Sequence, residues 1–305
     1  MSQDQGRILV IRGGAIGDFI LTLPAIAALR ERFPGVHLEI LGYPHIAQLA
    51  LAGGLVDRLQ PIEAQALAGF FALGGTLSED WRDYFSEFDL IVSYLFDPDE
   101  IFQDNIARCS PAQFIAGPHR AGEADGVHAT QVYLKPLERL AIFDADAVPH
   151  LALNLEPATL DQLALHPGSG SERKNWPEPR WSELLALLVE RTALHLLVVG
   201  GEAEGDRLER LVALLPEERV TLARSRPLVE LAGLLQRCSG FVGHDSGITH
   251  LAAAVGLPSL VLLGDTIEKV WRPQGDSVRI LRAAGGAPAF PVEQVWTELQ
   301  EMISG

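Results

Sequence analysis

Apolar residues along this chain fall into two alternating patterns. A continuous apolar strand, RILVI at 7–11, is followed by strand-like runs (VHLEIL at 36–41, DLIVSYL at 89–95, QFIAG at 113–117). The segments between them are helical or irregular, with helical spacing over 19–32. The alternation resumes with LALH at 163–166, HLLVVG at 195–200, FVG at 241–243 and SLVLLG at 259–264, and helical spacing returns over 177–190 and 248–255. Strand and helix in strict succession predict an α/β chain whose sheets are parallel and doubly wound. The pattern lapses in LNLEPATLDQ at 153–162, which sets the expected boundary: an N-terminal domain over 1–155 and a C-terminal domain over 156–305.

The densest of these units is 241–264. A buried strand ending near Gly243 runs into His244-Asp245-Ser246-Gly247, which is turn and N-cap chemistry, and then into a helix that Gly256-Leu257-Pro258 closes. Such a loop leaves backbone N–H groups unpaired at the positive end of a helix dipole, which suits a phosphate or diphosphate. Asp245 or Ser246 as a simple cap explains the same residues. His250, one turn further on where a packing helix more often carries an apolar side chain, favours the binding reading.

The bulk properties narrow the class. At 305 residues and 48% hydrophobic content the chain can fill two cores. MSQDQGR lacks the basic and apolar start of a signal peptide, and no apolar run approaches the length of a membrane span, so a cytoplasmic protein is expected. Cys109 and Cys238 fall in different halves and read as core thiols rather than a disulfide or a metal cluster. Residues 1–155 hold 10 basic and 20 acidic side chains, and 156–305 hold 14 and 20, so neither half offers the basic field that nucleic acid requires.

The first strand runs into Gly13-Gly14-Ala15-Ile16-Gly17-Asp18 before its helix. A dinucleotide loop would read G-x-G-x-x-G, but Arg12 stands in place of the first glycine, and the acid expected at the second strand's tip would have to be Glu39, which sits mid-strand. A nicotinamide-dependent oxidoreductase is therefore a minor alternative. Asp18 lies at the C-terminal edge of the sheet, where open α/β folds place their chemistry, and a plain helix cap is the competing reading. Two further segments break the alternation. The aromatic stretch 69–88 is either a lid over an acceptor pocket or a ring face packed on the core. The acidic run 96–105 reads as solvated surface, with no histidine or cysteine to support a metal site.

In the C-terminal half four strand tips carry candidate ligand groups. His166 to Gly170 is a small-residue loop in which Ser169 and Gly170 allow backbone N–H groups to approach an anion, and Lys174 can add a point charge. Glu202 and Glu204 follow the strand ending at Gly200, Val220 to Arg226 forms a third tip, and His244 to His250, with Asp245, Ser246, Gly247 and His250, forms the fourth.

The stretches RILVIRGGAIGDFILTLPAIAALRERFPG, LALHPGSGSERKNWP, LVELAGLL and FVGHDSGITHLAAAVGLPSLVLLGDT, taken together and in this order, resemble glycosyltransferase family 9, the ADP-heptose:lipopolysaccharide heptosyltransferases. The resemblance implies a GT-B architecture of two Rossmann-like domains facing across a cleft that closes about the linker. The N-terminal domain would bind the acceptor and the C-terminal one the sugar nucleotide. It implies inverting transfer with no metal and no cofactor beyond the ADP-sugar donor. It places the general base on Asp18 and acceptor-side backbone on Gly13, Gly14 and Gly17. Donor contacts fall on Ser169, Gly170, Lys174, Asp245, Ser246, Gly247 and His250, and the donor-side acid on Glu202 or Glu204, with Glu202 preferred. The acceptor would be a lipopolysaccharide-core or other glycan or glycolipid, met at the inner membrane face. A nucleotide-sugar-binding protein without transfer activity is the alternative from outside the enzymes.

Overall fold

The computed structural model describes residues 5–153, 161–282 and 289–304. The chain divides into two compact units, 1–147 and 148–305, and the expected boundary at 155/156 lies outside the described residues.

The first unit is built on a five-stranded sheet of β1 (Arg7–Arg12), β2 (His37–Gly42), β3 (Arg58–Pro61), β4 (Leu90–Ser93) and β5 (Gln113–Ala116), in the order β3-β2-β1-β4-β5. All four pairings are parallel, with Val10 of β1 opposite Ile40 on one side and Val92 on the other. β1 is buried from Ile8 to Arg12 because helices cover both faces, which is why its run does not alternate. The single helix expected over 19–32 is two helices, Ile16–Ile20 and Leu23–Arg32. Pro24 has no N–H to give the carbonyl of Ile20, so the ladder breaks and restarts at Thr22, whose hydroxyl donates to the Asp18 carbonyl (2.8 Å). Phe70, Phe85, Phe88 and Phe102 pack with Leu9, Ile11, Leu41 and Ile91 in one cluster, so most of the aromatic stretch is a ring face on the core.

The second unit carries a six-stranded sheet of β6 (Gln162–His166), β7 (His195–Gly200), β8 (Val220–Arg224), β9 (Gly240–His244), β10 (Ser259–Leu263) and β11 (Val278–Arg282), ordered β11-β10-β9-β6-β7-β8 and parallel throughout. Its core joins Leu163, Leu165, Val198, Val242 and Leu260 to Trp176, Trp181, Leu184 and Leu188, the last three on helix Glu178–Arg191. Helix Gly247–Ala254 ends as expected, with Gly256 in the left-handed region at φ 81°. Cys238 is buried and Cys109 half-buried, and burial raises both thiols above their ordinary range. Among the described residues no helix is long and apolar enough to cross a membrane.

In each sheet the strand order reverses beside the first strand, between β1 and β4 and between β6 and β9. Open parallel sheets hold ligands outside the carboxyl ends of their strands at such a reversal.

Candidate active site

At the reversal in the first unit, β1 delivers Arg12, Gly13, Gly14 and Asp18 to a cavity of about 400 Å³. Gly14 takes φ 94°, and a Cβ there would stand 3.3 Å from Asp18 Oδ2, so the loop needs glycine for conformation and for the close approach of that carboxylate. Asp18 Oδ2 accepts a long bond from the Ala15 N–H (3.4 Å), and Oδ1 lies 3.9 Å from Arg12 Nη2. The Asp18 side chain keeps 29% of its surface exposed, so it is anchored at the helix start and still open to the cavity. Gly17 lies inside helix Ile16–Ile20 and does not line the cavity, whereas Gly13 and Gly14 do.

The remaining walls come from the loops after the other strands: Tyr43 after β2, Glu63 after β3, Leu95 and Phe96 after β4, and His119 and Arg120 after β5. Of the aromatic stretch only Phe71 joins them, half-exposed and stacked near Phe102 at 4.8 Å. Phe96 is 70% exposed and meets His119 edge-on at 4.6 Å. The acidic run has a structural task at one position. Asp97 accepts from the N–H groups of Phe102 and Gln103 (3.1 and 3.0 Å) and so caps helix Ile101–Ala107, while Asp99, Glu100 and Asp104 are exposed. Glu39 is fully buried against Arg7 (2.6 Å), His37 (2.8 Å) and Tyr84 (3.2 Å), so it serves the sheet's interior and offers no free acid at a strand tip.

In the second unit β9, β6 and β7 are neighbours, and their tips meet. Lys174 Nζ donates to Asp245 Oδ2 (2.7 Å), and Thr266 donates to the same oxygen (2.6 Å). Ser246 caps helix Gly247–Ala254 by accepting from Thr249 N–H (3.3 Å). Ser246, Gly247 and Ile248 remain part-exposed at the start of this helix, where the first N–H groups have no partner within the helix ladder. His250, one turn in, is buried.

Two further histidines lock these loops together. His244, expected in the turn, is the last residue of β9 and fully buried. Its Nε2 accepts from the Trp176 N–H (2.7 Å), which fixes the proton on Nδ1, where it faces the Gly168 carbonyl (3.3 Å). Burial lowers its pKa to about 3. His166 places Nδ1 3.1 Å from Ser246 Oγ and Nε2 3.8 Å from Glu204, and burial lowers it to about 4. The loop after β6 is thereby held from both sides. Ser169 Oγ lies 2.7 Å from Asn175 Oδ1, and Gly170 sits at φ 70° in open space.

The two acids after β7 separate clearly. Glu202 is exposed. Glu204 is buried, accepts from the Gly201 N–H (2.6 Å) and presses on Gly168 so closely that a Cβ there would stand 1.8 Å from its Oε1. The tip of β8 is apart from this group: it lies at the sheet edge beyond β7, where Arg224 pairs with Glu209 and Arg226 is exposed. His244, Thr249 and Thr266 were not singled out for side-chain roles in the sequence. Among the described residues no three histidine, cysteine or acidic side chains are grouped to hold a metal ion.

The profile of glycosyltransferase family 9 (heptosyltransferase) matches residues 138–296, more than half of the sequence. The chain belongs to glycosyltransferase family 9. This glycosyltransferase is 23% identical over 293 residues to lipopolysaccharide heptosyltransferase 3 of Escherichia coli, across 86% of this chain and 83% of the relative. It is 25% identical over 312 residues to lipooligosaccharide heptosyltransferase 2 of Haemophilus influenzae, across 92% and 89%. Its fold is similar to the family 9 glycosyltransferase of Veillonella parvula (TM-score 0.79, 18% identity, 100% of this chain and 99% of the other). It is also similar to the E. coli heptosyltransferase WaaC solved with ADP (TM-score 0.76, 19% identity, 97% and 99%). The α/β class and the two Rossmann-like units from which GT-B enzymes are built are therefore those expected.

Proposed function

We propose that this family 9 enzyme moves a heptose or related sugar from an ADP-sugar to a lipopolysaccharide-core or other glycan acceptor, inverting the anomeric centre without a bound metal. The observation that carries the donor half is the Lys174–Asp245 pair beside the part-exposed start of helix Gly247–Ala254, a cation and the positive end of a helix at one strand-tip cluster. Relatives named lipopolysaccharide and lipooligosaccharide heptosyltransferases support the sugar and the acceptor, and solved neighbours carrying ADP and ADP-2-deoxy-2-fluoro heptose support the nucleotide.

In this reading the second unit binds the sugar nucleotide. Lys174 and the amides of Ser246 and Gly247 stabilise the charge that develops on the departing ADP, the part a divalent metal takes elsewhere. Glu204, buried at the same loops, is the preferred donor-side acid in place of Glu202, and Asp245 orients Lys174 rather than meeting phosphate. The first unit's cavity receives the acceptor. Asp18 takes the proton of the acceptor hydroxyl as that oxygen bonds to the anomeric carbon, and the bond from that carbon to the diphosphate oxygen breaks on the opposite face. A glycolipid acceptor would bring the enzyme to the inner face of the membrane.

A thermal-shift comparison of ADP-, UDP- and GDP-sugars tests the donor, because a selective ligand stabilises the fold by mass action. The ADP-sugar is expected to raise Tm most, and equal shifts from all three would remove the ADP assignment.

A further inference from the structure

The feature left without a role is Arg12. It closes an apolar strand, only 2% of it is exposed, and its guanidinium fork is shared among three loops. Nη1 donates to the carbonyls of Tyr94 (3.3 Å) and His119 (2.8 Å), and Nη2 donates to the carbonyl of Asp18 (3.1 Å). These carbonyls belong to the segments following β4, β5 and β1, the three that form most of the cavity's polar wall. The guanidinium plane is set by Tyr133, whose ring centre lies 4.7 Å from Cζ, and by Tyr94 at 5.9 Å. Tyr94 is itself fixed by donating its hydroxyl to the Tyr133 carbonyl (2.7 Å).

We propose that Arg12 is a positioning residue for Asp18, fixing the height and direction of that carboxylate in the cavity by holding its backbone carbonyl against the loops after β4 and β5. The proposal rests on Asp18 being the base. A buried cation is a poor choice for stability alone, since apolar side chains of like volume commonly do as well or better. Arg12 meets Asp18 Oδ1 only at 3.9 Å, beyond hydrogen-bond distance, so its bonds go to the backbone that carries the carboxylate. The rigid fork is what this geometry uses. A lysine has one ammonium on a flexible stem and cannot span three carbonyls presented from three strands. The Asp18 carbonyl is thus shared between the Thr22 hydroxyl (2.8 Å), which belongs to its own helical segment, and Arg12, which ties it to the loops after β4 and β5.

The test compares wild type, Arg12→Lys, Asp18→Asn and the double variant. The readouts are Tm, near-ultraviolet circular dichroism, ADP-sugar Kd and single-turnover transfer to a glycan acceptor. Arg12→Lys keeps the charge and much of the volume. It is expected to fold and to bind donor within about twofold of wild type, while the transfer step slows on the order of 100-fold, the usual cost of displacing a reacting group by about 1 Å. In the Asp18→Asn background the same substitution should cost less than about threefold, because a positioning residue has nothing left to position. Wild-type transfer by Arg12→Lys overturns the proposal. So does an equal loss in both backgrounds, or a variant that fails to fold, since each marks a purely structural arginine. If Asp18→Asn alone transfers at the wild-type rate, the base assignment itself fails and the proposal falls with it. That outcome is read from the single variant before Arg12 is touched.

Discussion

Replacing Lys174 by alanine should weaken donor binding without loosening the fold, and the structure sets the size of both effects. Lys174 is 37% exposed at its side chain and its partner Asp245 10%. An ion pair this open contributes at most about 1 kcal/mol to folding. Asp245 would also keep the hydroxyl of Thr266 at 2.6 Å, so its carboxylate is not left bare in a buried site. A bound diphosphate has more to lose. A charge-assisted hydrogen bond to an ionised oxygen is worth about 1–3 kcal/mol, which corresponds to roughly a 5- to 150-fold rise in Kd. Isothermal titration of wild type and Lys174→Ala with an ADP-sugar measures that ratio, and urea unfolding measures the other. Because the interaction is between charges at a part-exposed site, the ratio should shrink as salt is raised. An unchanged Kd at low salt would refute the reasoning and leave Lys174 as a surface cation that happens to sit near Asp245.

Three other outcomes follow from the same site. His166 and His244 are held neutral by burial, with pKa values lowered to about 4 and 3, whereas the unfolded chain takes up both protons near pH 6.5. Both lowered values favour the folded state above the unfolded pKa, and that stability is lost as pH falls below about 6.5, toward about 4 for His166 and about 3 for His244. Urea unfolding at pH 7.5, 6.5 and 5.5 reads this, and equal stability at pH 6.5 and 5.5 would contradict it. Glu204→Gln should raise the donor Kd several-fold and Glu202→Gln should not, since only Glu204 is buried against the loops of β6 and β7; the reverse order would restore Glu202. Transfer should persist in excess EDTA, because Lys174 and the helix amides take the charge of the leaving ADP, and activity lost to chelation and restored by magnesium would count against that mechanism.

The sequence made the scaffold legible because buried parallel strands leave a plain signal. RILVI, HLLVVG and SLVLLG each became a strand, and the Gly256-Leu257-Pro258 stop fell where its chemistry placed it. What it did not show was side-chain direction inside loops. Glu202 and Glu204 are two residues apart in one turn, and only the bond from the Gly201 N–H to Glu204 turns one inward and leaves the other in solvent. His244 looked like turn chemistry because its neighbours are turn residues. Its pairing with Trp176 N–H spans 68 positions and has no local signature. Pro24 did carry a visible signal, a missing donor inside a helical pattern, and it marks the break between helices Ile16–Ile20 and Leu23–Arg32. Arg12 was legible only as a departure from a glycine motif. The three carbonyls it serves come from segments that converge only in the folded sheet.

The most direct test of the enzyme mechanism is Asp18→Asn, measured for Tm, ADP-sugar Kd and single-turnover transfer alongside wild type. Asparagine keeps the shape and most of the capping ability of aspartate, so stability should change by no more than about 1 kcal/mol and donor affinity should hold. The transfer step should slow by a factor of about 100 to 10,000, the usual cost of losing a general base. A variant that binds donor and transfers sugar at the wild-type rate would show that Asp18 is only a helix-start residue and that the base lies elsewhere.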